Sequence, residues 1–206
     1  MDEKQNQLPI LLWIPKMHKN PSKQRFIAAS HSCTTKNLSS LISKWLKLIQ
    51  KAHQVYCERI KNYSDYNLVW IVDNSLGVHK LLQQCDTKAK DLGTCDFSTL
   101  YTSIPHNKLK SQMRWVIEKA FKGMNKEYIR VNKFCARWSN KREKNSDVTF
   151  VDLETLIKMI NWLIDNTYVI VGDKVFRQVI GIPMGTDCAP FLANLFLFSY
   201  EFNWMN

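Results

Sequence analysis

Apolar residues recur at two different spacings along the chain, and the change between them separates predicted helices from predicted strands. Spacings of three and four positions are typical of helices that bury one face. The predicted helices cover about 34–63 and 107–122, the second ending at Gly123, and two further segments are capped by Asn74 or Ser75 and by Asp152. These segments predict a helical core.

Short apolar runs near the N-terminus predict a β-hairpin-like unit. Leu8–Pro15 and Arg25–Ser30 flank a basic turn, so we expect two strands that pair with each other. The basic residues near the tip of this unit are Lys16, Lys19, Lys23 and Arg25.

A second predicted hairpin lies late in the chain. The runs 168–171 and 174–178 are joined by Gly172-Asp173, a two-residue sequence that favours a tight turn between strands. Brief strand-like runs also lie at 68–72 and 92–95. Helices mixed with a small antiparallel sheet predict an α/β (α+β) fold.

One short stretch, Asp96-Phe97-Ser98-Thr99-Leu100-Tyr101, combines a carboxylate with a nearby aromatic residue. A carboxylate at the end of a strand is held rigidly, which suits a metal ligand. Tyr101 follows five residues later, about one and a half turns if the segment is helical, so it could face the same cleft. The alternative is that Asp96 merely caps the next helix.

A second stretch, Gln178–Pro190, contains two glycines and two prolines and leads into the apolar run Phe191–Leu197. This composition predicts a turn that enters a buried helix. Asp187 lies within the turn and is a further carboxylate.

The two stretches together resemble the reverse transcriptases, most closely those of Penelope-like retroelements. That family carries Asp-x-x-x-Leu-Tyr-Thr-x-Ile-Pro, and later Gln-x-x-Gly-x-Pro-Met-Gly followed by Pro-x-x-Ala-Asn-Leu-Phe. The matching residues here are Asp96, Leu100, Tyr101, Thr102, Ile104, Pro105, Gln178, Gly181, Pro183, Met184, Gly185, Pro190, Ala193, Asn194, Leu195 and Phe196. The resemblance runs from about Leu8 to the last residue.

The resemblance implies the fingers and part of the palm of a right-hand polymerase. We expect 1–90 to be a fingers-like N-terminal part and 91–206 a partial palm. The palm would carry a basic helical insertion at about 106–166. Together they would form one reverse transcriptase domain fragment.

The resemblance also implies RNA-directed DNA polymerisation by two Mg²⁺ ions, which take oxygen ligands. Asp96 would bind both ions, and the backbone carbonyl of Phe97 would complete one ligand shell. Tyr101 would occupy the family's aromatic gate against ribonucleotides. The expected partners are an RNA or DNA template with its primer, and deoxynucleoside triphosphates.

Four further residues are implied to contact the incoming nucleotide. Lys16 and Arg25 match the fingers residues that bind its triphosphate, although Phe26 replaces the proline that follows this arginine in the family. Met184 and Gly185 would pack near the nucleotide and the template base. Asp187 matches no ligand of the family.

The family's third motif, aromatic-x-Asp-Asp, has no counterpart here. It lies roughly thirty residues after the Pro-Met-Gly turn, whereas the sequence ends twenty-one residues after Gly185 and contains no Asp-Asp pair. We therefore expect a fragment that lacks the second catalytic aspartates, the thumb and any nuclease domain, and that is inactive alone.

The positive charge is concentrated in one part of the chain. The formal net charge is +11, and residues 106–145 hold twelve Lys/Arg and three Asp/Glu, a charge of +9. Interleaved aromatic residues make this sector suited to nucleic acid, with Lys141, Arg142 and Lys144 as candidate phosphate contacts. The alternative is a solvated helix face and loop.

Cysteine usage and hydropathy point to an intracellular protein. The six cysteines are scattered without a Cys-x-x-Cys pair, so neither a zinc site nor a disulfide framework is indicated. No apolar run approaches the roughly 18–20 residues that span a bilayer. With a retroelement polymerase, we expect a nuclear location and no membrane partner; the oligomeric state is not indicated.

Two other interpretations remain open at this point. The chain could be a non-catalytic, nucleic-acid-binding remnant of the same fold. It could also be an unrelated α/β interaction protein that carries the motifs by chance.

Overall fold

Helices and two small sheets make up the part of the chain that the computed structural model describes, which is residues 8–17, 23–61, 74–83, 93, 96–97, 99–133, 135–142, 148–183 and 185–205. The strands are β1 (Ile10–Lys16), β2 (Lys23–Ala29), β3 (Tyr128–Val131), β4 (Ala136–Ser139), β5 (Thr149–Asp152), β6 (Tyr168–Val171) and β7 (Lys174–Arg177). The helices are α1 (Lys36–Lys61), α2 (Ser75–Gln83), α3 (Leu100–Ser103), α4 (His106–Met124), α5 (Leu153–Asp165) and α6 (Ala189–Met205). The expected mixed class of helices and sheets is confirmed.

Both predicted hairpins are present and belong to one four-stranded sheet, in the order β2-β1-β6-β7. β1 and β2 are antiparallel, with Lys16 opposite Lys23 at the tip. β6 and β7 are antiparallel across the Gly172-Asp173 turn. β1 runs parallel to β6, with Ile10 beside Ile170. The N-terminal hairpin and the hairpin at 168–177 therefore share one sheet.

A second, antiparallel sheet has the order β4-β3-β5. It buries Ile129, Val131 and Val151 in the core, each 4% exposed or less. The segment at about 106–166, expected as a basic helical insertion, contains α4 and α5 and also this sheet between them. Strands of four residues give only two positions on each face, which is too short a pattern to stand out from neighbouring helical spacing.

The core lies among the long helices α1, α4, α5 and α6. Ile42, Trp45, Leu46 and Ile49 line the buried side of α1, each fully enclosed. α4, α5 and α6 supply most of the other enclosed residues, which are Leu109, Met113, Val116, Ile117, Leu156, Ile160, Leu163, Ile164, Leu192 and Leu195. Burial of each such side chain contributes about 1.5–3 kcal/mol, so this interior is the main source of stability.

The helix ends follow the predicted caps with one difference. The Asp152 carboxylate accepts a hydrogen bond from the Thr155 backbone at 2.7 Å, and this bond lowers the pKa of Asp152. Asn74 accepts from the backbone of Gly77 at the start of α2. α4 runs through Gly123 and ends at Met124, because Asn125 takes the left-handed conformation (φ 52°) that terminates a helix.

Two strand predictions cannot be compared with the structure. The run 68–72 lies outside the described residues, and so does 92–95 apart from Gly93. Within the described ranges, no helix combines the length and the apolar character needed to cross a bilayer.

Candidate functional site

The two sequence motifs meet in space, although about eighty residues separate them along the chain. The backbone N–H of Gly181 donates to the carbonyl of Ile104 at 2.8 Å, and that of Ile182 donates to the carbonyl of Tyr101 at 2.8 Å. Pro105 and Ile180 form an antiparallel bridge beside these bonds. The first motif and the glycine-proline turn are therefore joined through their main chains.

Gly181 is required for this contact. Its φ of +90° lies in a region that residues with a side chain rarely adopt. A Cβ atom there would overlap the carbonyl oxygen of Tyr101 and would lie 3.0 Å from the Cα of Thr102. The turn can approach the first motif this closely only because residue 181 has no side chain.

Two polar side chains hold the turn from opposite sides. The Gln178 amide donates to the carbonyls of Ile180 and Ile182 at 2.9 and 3.0 Å. The Nε2 of His106 donates to the carbonyl of Gly181 at 3.0 Å. Partial burial lowers the pKa of His106, so the imidazole is neutral at pH 7 and its tautomer is set by this bond.

The other end of the turn contacts strand β2. Ser30 donates a hydrogen bond from its hydroxyl to the carbonyl of Gly185. Gly185 has a φ of +79°, and a Cβ atom there would overlap the carbonyl oxygen of Ala28. Arg25 precedes Ala28 by three residues, about 10 Å along an extended strand. The turn thus links the first motif to the hairpin that carries Arg25.

Asp187 is held by helix α1 and has a structural role in this arrangement. The ammonium group of Lys36 lies 2.5 Å from its carboxylate, and the hydroxyl of Ser39 accepts from its backbone N–H at 2.7 Å. The next residue, Cys188, is fully enclosed, and burial raises the pKa of its thiol. These contacts fix the start of α6.

Asp96 is exposed, and its carboxylate has no hydrogen bond or ion pair with any described residue. It does not cap α3, because Thr99 occupies the N-cap position and makes no side-chain cap bond. The capping alternative is therefore not observed for this helix. Phe97 beside it is 62% exposed. A carboxylate that no described residue binds is chemically available as a metal ligand.

The backbone and the side chain of Tyr101 lie in different environments. Its carbonyl accepts from the turn, whereas its side chain is 36% exposed and partly covered. That partial burial raises the pKa of the phenol, so the hydroxyl stays protonated near pH 7. The ring is thus anchored next to the junction of the two motifs.

The other predicted site residues lie on the N-terminal hairpin, after β4, or outside the described residues. Lys16 is partly buried and pairs with Lys23 at the tip of the hairpin, and Arg25 of β2 pairs with Ile14 of β1. Lys141 and Arg142 are exposed after β4. Met184 and Lys144 lie outside the described residues, and no three His, Cys, Asp or Glu within those residues are grouped as metal ligands.

Sequence reasoning missed the residues that connect the segments. Ser30, Lys36, Ser39 and His106 all bond to the Gly181–Asp187 part of the turn. Each lies in an ordinary strand end or helix, and none belongs to a recognisable spacing. They can be identified only from contacts between segments that are far apart in the sequence. No protein-family model matches the chain, and no curated protein matches it either.

Proposed function

We propose that the chain is part of an RNA-directed DNA polymerase of a retroelement, in which Asp96 is a metal-binding carboxylate. In this proposal the N-terminal hairpin belongs to the fingers and the Asp96 and Gly181–Pro190 segments to the palm. The substrates are a primed RNA or DNA template and deoxynucleoside triphosphates. A nuclear location follows for an enzyme that copies a chromosomal element.

The hydrogen-bonded junction of the three segments supports the proposal. The sequence resemblance rests on the Asp96–Pro105 stretch and the Gln178–Pro190 turn together, and it then points to the strand with Arg25. The turn bonds to Tyr101 and Ile104 at one end and to Ser30 at the other. Segments that share one substrate must converge in this way, whereas chance motifs have no reason to.

Asp96 and Phe97 offer the type of ligand that Mg²⁺ prefers, but they are too few to hold two ions. Asp96 and the Phe97 carbonyl are oxygen ligands, which Mg²⁺ prefers. A pair of Mg²⁺ ions would activate the primer hydroxyl and stabilise the leaving oxygen. Two ions need further carboxylates, which the resembling family supplies from an Asp-Asp pair that this sequence does not contain.

The other residues have distinct roles in the proposal. Tyr101 blocks the 2′-hydroxyl of a ribonucleotide, and Met184 packs against the nucleotide, since a thioether offers no strong hydrogen bond. Gly185 leaves room for the close approach of the turn to β2. Lys16 and Arg25 neutralise the triphosphate.

A fusion protein tests the proposal. An aromatic-x-Asp-Asp hairpin and thumb from a Penelope-like reverse transcriptase are joined after Asn206, and primer extension is measured with Mg²⁺ and deoxynucleotides. We expect extension by the fusion and none by the chain alone. Asp96→Asn should abolish extension, whereas Asp173→Asn, exposed at the β6–β7 turn, should leave it unchanged. Extension that survives Asp96→Asn would remove Asp96 from the mechanism.

A second candidate function is nucleic-acid binding without catalysis. The +9 charge of residues 106–145 favours it. Salt-dependent binding of nucleic acid by the chain, together with a fusion that folds and yet never extends a primer, would select this function over the polymerase.

A further inference from the structure

The solvent face of the second sheet carries an arginine pair that the motif junction does not use. Strand alternation places Ile129, Val131 and Val151 on the core side. Arg130 therefore lies on the opposite face, with Arg137 of β4 paired to it on one side and Phe150 of β5 on the other. Two guanidinium groups and an aromatic ring form one row across three strands.

Neither arginine is neutralised by the described protein. Like charges directly opposite each other on neighbouring strands destabilise a sheet. Arg130 and Arg137 make no ion pair or hydrogen bond through their side chains with any described residue. Arg114 on α4 shows the contrast, because Glu118 and Glu154 both bind it. The pair therefore has unused capacity for an anion.

Arg130 and Arg137 border a small concavity on the protein surface. Arg130, Asn132, Cys135 and Arg137 line a space of about 150 Å³. The backbone of Asn132 donates to the carbonyl of Cys135 at 3.0 Å, and the Asn132 side chain accepts from the Cys135 backbone at 2.8 Å. These bonds join Asn132, which follows β3, to Cys135, which precedes β4. The space is large enough for a phosphate group between the guanidiniums.

The surroundings favour a polymeric anion with exposed bases. Residues 126–142 contain six Lys/Arg and one Glu, a net charge of +5. Phe150, half-buried, offers part of a ring face next to Arg130. Nucleic-acid bases stack on such rings, and only a single strand leaves its bases free to do so.

We infer that the solvent face of β4-β3-β5 binds single-stranded nucleic acid, with a phosphodiester between Arg130 and Arg137 and a base on Phe150. This inference deepens the proposed function by naming a single strand as the ligand of the basic sector. The inference rests on the proposed function only in taking the bound polyanion to be a nucleic acid. The site is separate from the junction that contains Tyr101 and Gly181.

Fluorescence anisotropy with labelled single-stranded RNA and DNA oligonucleotides tests the inference on the full chain. Arg130→Gln with Arg137→Gln should weaken binding about tenfold or more near 0.1 M salt. It should also reduce the slope of log affinity against log salt by about 0.7, since the one phosphate between the two arginines is no longer neutralised. The control is Lys47→Gln with Lys51→Gln, which removes two exposed charges from α1 and should change the slope much less.

Two more variants separate geometry from charge. Arg130→Lys with Arg137→Lys keeps the charge and loses the forked hydrogen bonds, so we expect intermediate affinity. Phe150→Leu keeps an apolar side chain and removes the stacking surface, so affinity should fall about threefold to tenfold. A midpoint of thermal unfolding no lower than that of the unchanged chain for the double glutamine variant shows that folding is intact.

Specific outcomes would overturn the inference. Equal losses in the arginine and α1 variants would show a general charge effect, and an unchanged salt slope would show that the pair touches no phosphate. Tighter binding to phosphatidylserine vesicles than to the oligonucleotides would assign the face to a membrane surface. Extension by the fusion protein tests the polymerase proposal separately, because Asp96→Asn removes extension without touching this face.

Discussion

Single residues with positive φ decide how closely the glycine-proline turn approaches its neighbours. Gly185 and Gly172 have similar φ values, +79° and +63°. A Cβ atom at Gly185 would overlap the carbonyl of Ala28, whereas one at Gly172 would meet nothing within 4 Å. The two positions therefore separate backbone strain from steric overlap.

We predict that Gly185→Ala destabilises the protein more than Gly172→Ala does. The left-handed backbone alone costs about 1–2 kcal/mol with alanine. Overlap with β2 should add roughly 1–3 kcal/mol at position 185 only. Urea unfolding of both variants measures the difference. Equal losses would mean that the turn moves away from β2 at little cost.

Another residue, His53, should make stability depend on pH. Its ring is 7% exposed, packs on Phe198 and donates to the carbonyl of Val116 at 2.9 Å. Burial, the largest effect, lowers its pKa below the usual 6.5. The unfolded chain binds a proton more readily, so this contribution to stability is present above pH 6.5 and is lost as pH falls toward the folded-state pKa.

We therefore predict that the free energy of unfolding decreases between pH 7 and pH 5.5, and that His53→Gln flattens this decrease. Glutamine can still donate to Val116 but does not titrate. Arg59, Lys119 and Lys122 line a cavity beside His53. His79→Gln on the exposed side of α2 is the control and should leave the pH profile unchanged.

Tyr101 supports a prediction about sugar selection that depends on the proposed function. In the active fusion protein, Tyr101→Ala should raise ribonucleotide incorporation relative to deoxynucleotide incorporation, by about tenfold or more if the ring supplies over 1.4 kcal/mol of discrimination. Tyr101→Phe keeps the ring and should keep the ratio. Kinetics with matched nucleotide pairs measure it, and an unmoved ratio in Tyr101→Ala would leave the ring a packing role only.

At the scale of elements, the sequence predicts what local chemistry determines. The Gly172-Asp173 turn, the Asp152 cap and the three-and-four spacing of α1 all lie within a few residues of the structure that they cause. The close approach of Gly185 to Ala28 does not, because the partner lies more than 150 residues away. The same limit explains why Ser30 and His106 carried no signal.

The second sheet shows another limit of prediction from sequence, which is the short length of its strands. β3 alternates polar and apolar residues correctly, as Tyr128-Ile129-Arg130-Val131. Four residues are too few to distinguish this pattern from one turn of helix. The many lysines and arginines around it suggested a solvated surface, although the strand buries two of its four side chains.

The loop that follows β4 has a prediction of its own. Replacing Lys141, Arg142 and Lys144 by Ala should weaken nucleic-acid binding and flatten its salt slope, by roughly one unit for each phosphate that these side chains neutralise. The α1 double variant, Lys47→Gln with Lys51→Gln, is again the control. A slope that does not change would show that these side chains are only solvated.

At the scale of the whole molecule, stability depends on segments from both ends of the chain. β6 and β7 complete the sheet begun by β1 and β2. α6 packs on α1 and α4 through Leu192, Leu195 and Phe196. A chain without the last forty residues lacks both contributions.

We predict that a chain ending at Asn166 has no cooperative unfolding transition. The removed part holds β6, β7 and the enclosed side chains of α6, which contribute about 1.5–3 kcal/mol each. Together these contributions are comparable to the roughly 5–15 kcal/mol by which most domains are stable. Calorimetry measures the transition. A chain ending at Phe202 loses the exposed residues Asn203 and Trp204 and the last two residues of the sequence, so it should keep the transition of the unchanged protein.

The parallel pairing of β1 with β6 also has a consequence during synthesis. Ile10 and its neighbour Ile170 are separated by 160 residues. At about 5–20 residues per second, a ribosome needs roughly 8–30 s to make the second strand after the first. For that time the free edge of the N-terminal hairpin has no partner and can pair with other nascent chains. Slowing elongation lengthens this interval. Chaperones that bind the nascent N-terminal segment cover the unpaired edge, so they should raise the yield of native protein in a cell.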